Sequence, residues 1–233
     1  IMKGARLDKD LIDAVKYFKC DTCAVVSKEK SRAPVAAPKK YEFNYDVGFD
    51  VLEAKDANAD RYSFLNILCN GTVFNQLPMV AEGGGQPTSR KCLAKFMTYW
   101  QSWAGWMQIA TTDRGLHNRG IFYRTLGQNG VYQRQAGLEA AEQIGRVERH
   151  GGIFKNNLKV TVKTHHIVGK GNMKIAASVT SNQENEQMRK GGIAPSQWVL
   201  GKFPRGVGHM LEDEELGQLG VLHAQIDATF AFG

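Results

Sequence analysis

The sequence predicts an α/β domain, a mixed sheet flanked by helices, and three observations carry that expectation. Three strand-like segments follow one another across residues 41–80. After residue 87 the apolar spacing changes from two to that of a helix. From there, short strand patterns and helical patterns alternate as far as about residue 168.

The first strand is expected over residues 41–52, where Phe43, Tyr45, Val47, Phe49 and Val51 recur at every second position. The polar run Asp56-Ala57-Asn58-Ala59-Asp60 is expected to turn the chain, and residues 62–69 read as a second strand. Asn70-Gly71 signals a two-residue hairpin into a third strand over residues 72–80. The glycine-rich stretch 82–87 is a loop, and Thr88 or Ser89 caps a helix reaching about residue 103. Its apolar face is Leu93, Phe96, Met97, Trp100 and Trp103. A strand over residues 106–112 then delivers Asp113. A brief helix near 119–126, a short strand at 130–133 and a helix starting near 138 complete the domain. That helix is expected to break at Gly151-Gly152 and resume to about residue 168. A polar helix is expected over 180–190, and irregular chain from Pro195 onward.

Ahead of this domain, residues 7–19 have near-helical apolar spacing and end at Cys20 and Cys23, and residues 27–40 form a basic linker with Pro34 and Pro38. The expected organisation is an N-terminal module remnant (1–26), the linker (27–40), a core (41–175) and a helical or irregular extension (176–233). No apolar run of membrane-spanning length occurs among the 233 residues, and the first residues lack the apolar stretch of a secretory signal, so an intracellular chain without a membrane partner is expected. The net charge of +7 favours phosphate-rich partners through counterion release. Cys69 and Cys92 lie in apolar runs and read as small core residues.

Three carboxylates stand out. Asp50 interrupts the apolar strand Val47-Gly48-Phe49-Asp50-Val51-Leu52. Asp113 follows a strand in Thr111-Thr112-Asp113-Arg114-Gly115, and Glu148 lies in the helical run Gly145-Arg146-Val147-Glu148-Arg149. Taken singly, each has an ordinary explanation: a solvent-facing strand position, a hydrogen-bonded turn, a solvated helix face. Together, two strand-borne aspartates and a helical glutamate can converge at one edge of a mixed sheet. Carboxylates gathered in that way repel one another unless divalent cations neutralise them. Hard oxygen donors of this kind suit Mg²⁺ or Mn²⁺ and the in-line displacement of a phosphodiester.

The 62 residues between Asp50 and Asp113 and the 34 between Asp113 and Glu148, with these local contexts, give a pattern that resembles the D,D,E signature of retroviral and LTR-retrotransposon integrases. The resemblance covers about residues 10–210. It implies a ribonuclease-H-like fold and a metal-dependent polynucleotidyl transferase that joins retroelement 3′ ends to target DNA. It implies catalytic and metal-holding roles for Asp50, Asp113 and Glu148 with two Mg²⁺ or Mn²⁺ ions, and DNA contact by Lys155 and Arg149. It further implies a homo-oligomer acting on DNA in the nucleus after cytoplasmic assembly.

Cys20-x-x-Cys23 ahead of the linker resembles half of the family's His-His-Cys-Cys zinc module. With no His before His117, this segment is expected not to hold zinc unless a longer chain supplies the missing His pair; the initial Ile1 fits a fragment. The second spacing is one short of the family's commonest, and His117 stands where the family often has Glu or Asn. The alternatives are a catalytically inactive nucleic-acid-binding fragment and a related nuclease or transposase on the same fold. His165-His166 lacks further ligands at suitable spacing, and Gly83-Gly84-Gly85 lacks the lysine of a nucleotide loop.

Overall fold

The computed structural model describes residues 17–26, 40–113, 115, 120–135, 145–187 and 192–201, together with residues 10 and 14. The chain divides into two compact units, one of residues 20–185 and one of residues 1–19 and 186–233. In the larger unit, α1 (Asp21–Val26) precedes β1 (Asp46–Lys55), β2 (Arg61–Cys69), β3 (Asn75–Gln76) and β4 (Met79–Glu82). Then come α2 (Ser89–Phe96, running on through Ala104), β5 (Ile109–Thr112), α3 (Ile121–Gln128), β6 (Tyr132–Gln135), α4 (Gly145–His165) and α5 (Lys170–Glu186). The smaller unit contributes α6 (Pro195–Leu200).

The six strands form one sheet of order β3-β2-β1-β5-β6, with β4 also paired to β2. β1 pairs antiparallel with β2, and β2 antiparallel with β3 and β4; β1, β5 and β6 run parallel. This is the expected mixed sheet, three antiparallel segments followed by parallel strands.

Both faces of β1 are covered. Val47 and Phe49 point to one side, where Phe49 meets Phe96 of α2 and Phe122 of α3 edge-on at 5.5 and 5.3 Å. Leu52 joins Phe64, Phe154, Leu158 and Val162 on the other side, with Met173 and Ala177 of α5 behind them. Each such side chain contributes about 1.5–3 kcal/mol by leaving water. α5 is tied to α4 through polar contacts as well. Buried His150 and Glu184 meet at 3.1 Å, and Asn157 donates to Glu184 at 2.8 Å. Among the described residues no helix is long and apolar enough to cross a membrane.

The structure differs from expectation where backbone chemistry overrides pattern. β1 begins at Asp46, because Asn44 turns the chain with a φ of 59°; asparagine tolerates that region better than most residues. Its side chain accepts from Trp100 Nε1 at 2.9 Å and donates to the Ala104 carbonyl at 2.7 Å, docking the end of α2. Within α2, Met97–Gln101 is a π-helical segment. Asn70-Gly71 does not make the two-residue hairpin. The turn closes from Val73 N–H to the Cys69 carbonyl at 2.8 Å, and Val73 carries the positive φ of 63°. Gly71 serves instead to let the Glu42 backbone pass, since a Cβ there would lie 2.5 Å from its carbonyl oxygen. The third strand is split into β3 and β4 at Pro78, which has no N–H to donate. α4 runs unbroken through Gly151-Gly152. α5 begins at Lys170 rather than residue 180, and Pro195 opens a helix instead of irregular chain, closed by Gly201 at φ 65°. The expected N-terminal helix over 7–19, the linker and residues beyond 201 lie outside the described residues, wholly or in large part.

Asp56 secures the β1–β2 turn to the start of α5. Its carboxylate accepts from the N–H groups of Asn58, Asp60 and Gly169 at 2.9, 3.0 and 2.9 Å, and from the Tyr62 hydroxyl at 3.2 Å. Those bonds, with Gly169 N–H foremost, hold the carboxyl below its ordinary pKa. Asp56→Ala should lower the unfolding free energy by about 2 kcal/mol in urea titrations at neutral pH, because buried donors lose their acceptor. A depressed native pKa gives stability that is complete above the unfolded value near 3.9 and is lost as pH falls through the native value. The advantage of wild type over Asp56→Asn should therefore shrink in melts taken at progressively lower pH below about 4.

Candidate active site

The parallel register of β1 and β5 places the first two sequence-derived site residues side by side. Phe49 pairs with Thr112, the last residue of β5, so Asp50 and Asp113 occupy the next step along the two strands. β5 ends there while β1 continues with β2, which leaves Asp50 at a lip where two parallel strands part company. The carboxyl ends of parallel strands are where open α/β sheets commonly bind ligands. Asp113 leaves the strand in a turn of its own, accepting from Gly115 N–H at 3.0 Å.

Asp50 lies on the α4 side of the sheet. It alternates with Gly48 and Leu52, and both touch α4: a Cβ on Gly48 would lie 2.1 Å from Val147 Cγ2, and one on Gly151 would lie 2.8 Å from Leu52 Cδ2. The two glycines, one on the strand and one on the helix, permit this approach. Asn66 pairs with Asp50 across β1 and β2 and donates from Nδ2 to the Val147 carbonyl at 3.3 Å. Glu148, the next residue, is exposed in the first turn of α4. Because α4 is continuous, Lys155 lies two turns further on the same face.

Electrostatics join the four residues. Burial pushes the Asp50 carboxyl up to about 6, and Asp113 adds to the rise; Val51 N–H, 2.8 Å from Asp50 Oδ1, and Lys155 oppose it; Glu148 adds further. The rise is first an effect of burial, to which the neighbouring carboxylates add. An all-oxygen donor set of this kind fits a hard divalent cation. Among the described residues, however, no three His, Cys, Asp or Glu side chains form a compact metal-ligating group. Asp113 and Glu148 lie within electrostatic reach of Asp50 without the three closing into a cluster.

The other sequence-derived positions are less converged. Arg149 is exposed beside Glu148, and its charge bears on Arg146. Cys20 lies just ahead of α1, Cys23 lies within α1 with its side chain outside the described residues, and His117 is outside them entirely. His165 and His166 are both exposed. Sequence reasoning missed Asp46, which binds together the start of β1 and its neighbours. Its carboxylate accepts from Thr111 Oγ1 at 2.8 Å and Asn70 Nδ2 at 3.0 Å, and pairs with Arg134 at 2.8 Å. It also missed Asn66 and the packing role of Gly48. A glycine inside an apolar strand was the available signal for the latter.

No protein-family model matches the chain, and no curated protein does. Solved structures do. The catalytic core domain of HTLV-2 integrase in complex with magnesium matches at a TM-score of 0.54 and 17% identity, over 66% of this chain and 95% of that one. The chain has the fold of a retroviral integrase catalytic core. The catalytic core domain of BIV integrase matches at 0.52 and 13% identity, over 68% of this chain and 95% of that one. A simian T-cell lymphotropic virus intasome, solved with the PP2A regulatory subunit B56 gamma, matches at 0.59 and 14%, over 80% of this chain and 66% of that one. The HTLV-2 core was solved in dimeric and trimeric forms. The ribonuclease-H-like expectation thus holds at the level of the fold.

The glycine contacts yield a direct test of how the site is held. Gly48→Ala should destabilise the protein by about 1–3 kcal/mol, the usual cost of overpacking, in urea unfolding. Combining it with Val147→Ala, which vacates the clashing methyl, should recover part of that loss. A double-mutant cycle showing simple additivity would place the strain elsewhere.

Proposed function

We propose that this chain is an integrase-type polynucleotidyl transferase that joins the 3′ end of a retroelement DNA to target DNA. The observation that carries the reading is the adjacency of Asp50 and Asp113 at the lip between β1 and β5, with Glu148 on the helix packed against that side of the sheet and the Asp50 carboxyl raised by burial and, after it, by those two acidic residues. The integrase fold and the magnesium in the HTLV-2 core structure support it.

In this reading Asp50, Asp113 and Glu148 hold Mg²⁺ or Mn²⁺. When bound, the ions supply activation of a hydroxyl nucleophile and stabilisation of the leaving oxygen. The chain's own residues do the positioning. The Val51 N–H orients the Asp50 carboxylate through its bond to Oδ1. Gly48, Gly151 and Asn66 set the distance of α4 from β1 and so present Glu148 to the two aspartates. Lys155, on the same helical face as Glu148, supplies a cation for a backbone phosphate, with Arg149 beside it. Assembly as a homo-oligomer on two DNA ends belongs to the same reading, in line with the multimeric forms of the HTLV-2 core.

The absence of a compact three-ligand group among the described residues favours one second reading, an inert nucleic-acid-binding module on the same fold. One assay separates the two. With labelled oligonucleotides and Mg²⁺ or Mn²⁺, wild type should carry out strand transfer. Asp50→Asn should lose on the order of 100-fold, equivalent to about 3 kcal/mol of transition-state stabilisation, while still binding DNA. Chelation should abolish transfer and leave binding in place. A folded wild type that binds DNA but transfers no strand would establish the inert module.

A further inference from the structure

Beyond the acidic residues, α4 continues into a concave feature with a different charge. A groove of about 550 Å³ runs between the end of β1 and the C-terminal half of α4. Lys155, Lys159 and Lys163 line one wall and Lys55 the other, with Ala54 and Val162 among the apolar residues lining the groove. The three helical lysines recur every four residues, so they climb one face of α4 in steps of about 6 Å. An exposed lysine is ordinarily just solvated. Here four share one groove, and among the described residues none has an ion pair. The two carboxylates on the same lining are already engaged: Asp56 by the N–H groups described above, and Glu53 by Arg61 at 3.6 Å.

We propose that this groove is a track for the phosphodiester backbone of a single nucleic-acid strand leading away from Asp50, with Lys55, Lys159 and Lys163 as its phosphate contacts. The proposal rests on the reading of Asp50 as the reactive centre, from which Lys155 marks the entrance. A regular row of point charges suits a ligand with repeating charge. Lysine heads contact phosphates without demanding one geometry, which suits a strand of any sequence. The apolar lining accommodates sugar faces, and the volume is that of a small-molecule site, large enough for a short stretch of single strand and too small for a duplex.

The test is the salt dependence of binding, measured by fluorescence anisotropy with a labelled single-stranded oligonucleotide on the full chain. For Lys159→Gln/Lys163→Gln, the slope of log affinity against log salt should fall in magnitude by about 1.4, two contacts at about 0.7 each for a single strand. Lys91→Gln/Lys174→Gln, which removes the same charge outside the groove, should leave the slope near wild type. An unchanged slope in the groove variant, or an equal fall in both, overturns the proposal. Inorganic tripolyphosphate serves as a competitor. Should it occupy the groove lysines while the oligonucleotide slope ignores them, the groove is a small-anion site and the proposal fails. The readout is independent of catalysis, and pairing it with strand transfer by wild type separates the two readings. A slope that responds to the groove substitutions while wild type transfers no strand retains the track and removes the transferase. An active protein with an unresponsive slope does the reverse.

Discussion

The close contact of α4 with β1 is the constraint on which the rest of the structure turns. A helix carrying side chains normally stands well off a sheet. Here Gly48 on the strand and Gly151 on the helix remove two side chains from the interface, so that Val147 and Leu52 fill the space each glycine leaves. Asp50 sits between these contacts along the strand. Glu148 directly follows one of the contacting residues on the helix. The packing that stabilises the domain therefore also brings an acidic helix residue within electrostatic reach of an acidic strand residue.

That arrangement has an electrostatic cost, visible in Asp50, whose carboxyl is raised by burial and by its acidic neighbours. A protein concerned only with stability would gain by replacing one of these residues with a neutral one. The cost is local, and the surroundings over-determine the geometry. Phe49 is fixed by aromatic contacts on one face, Leu52 by the α4 core on the other, and Asp46 ties β1 to β5, β6 and the turn after β2. With the strand held on both sides of position 50, its carboxylate has little freedom to turn away. The charge then reverses along α4, from Glu148 in its first turn to Lys155, Lys159 and Lys163 beyond. A single helix thus carries an acidic residue in its first turn and a row of lysines further along.

Much of this was legible without coordinates. The alternation of Val47, Phe49 and Val51, the turn at 56–60 and the helix capped by Thr88 all reflect local chemistry: side-chain period, hydrogen-bonding turn residues and an N-cap oxygen. The order of elements and the ordered carboxylates led to the right fold, although overall identity to the matching integrase cores is only 13–17%. Errors arose where a local preference met a tertiary demand. Asn70-Gly71 invites a tight hairpin, but the chain uses Gly71 to clear the Glu42 backbone and bends at Val73 instead. Gly151-Gly152 invites a helix break. One of the pair is needed for contact with Leu52, and the packing of Phe154 and Leu158 carries the helix through.

By itself, then, the sequence determined the mixed α/β order and roughly where the first two strands run, and it singled out three acidic residues as candidates, because those depend on neighbours a few positions away. Only the tertiary structure decided which side of the sheet Asp50 faces, that Asp113 stands beside it, and that Asp46 and Asn66 tie β1 and β2 to their neighbours. It alone decided that four lysines from α4 and β1 share one groove. Each of these is a relation between segments distant in the chain, set by strand register and by how closely a helix can approach a sheet. No pattern within a single segment records such a relation.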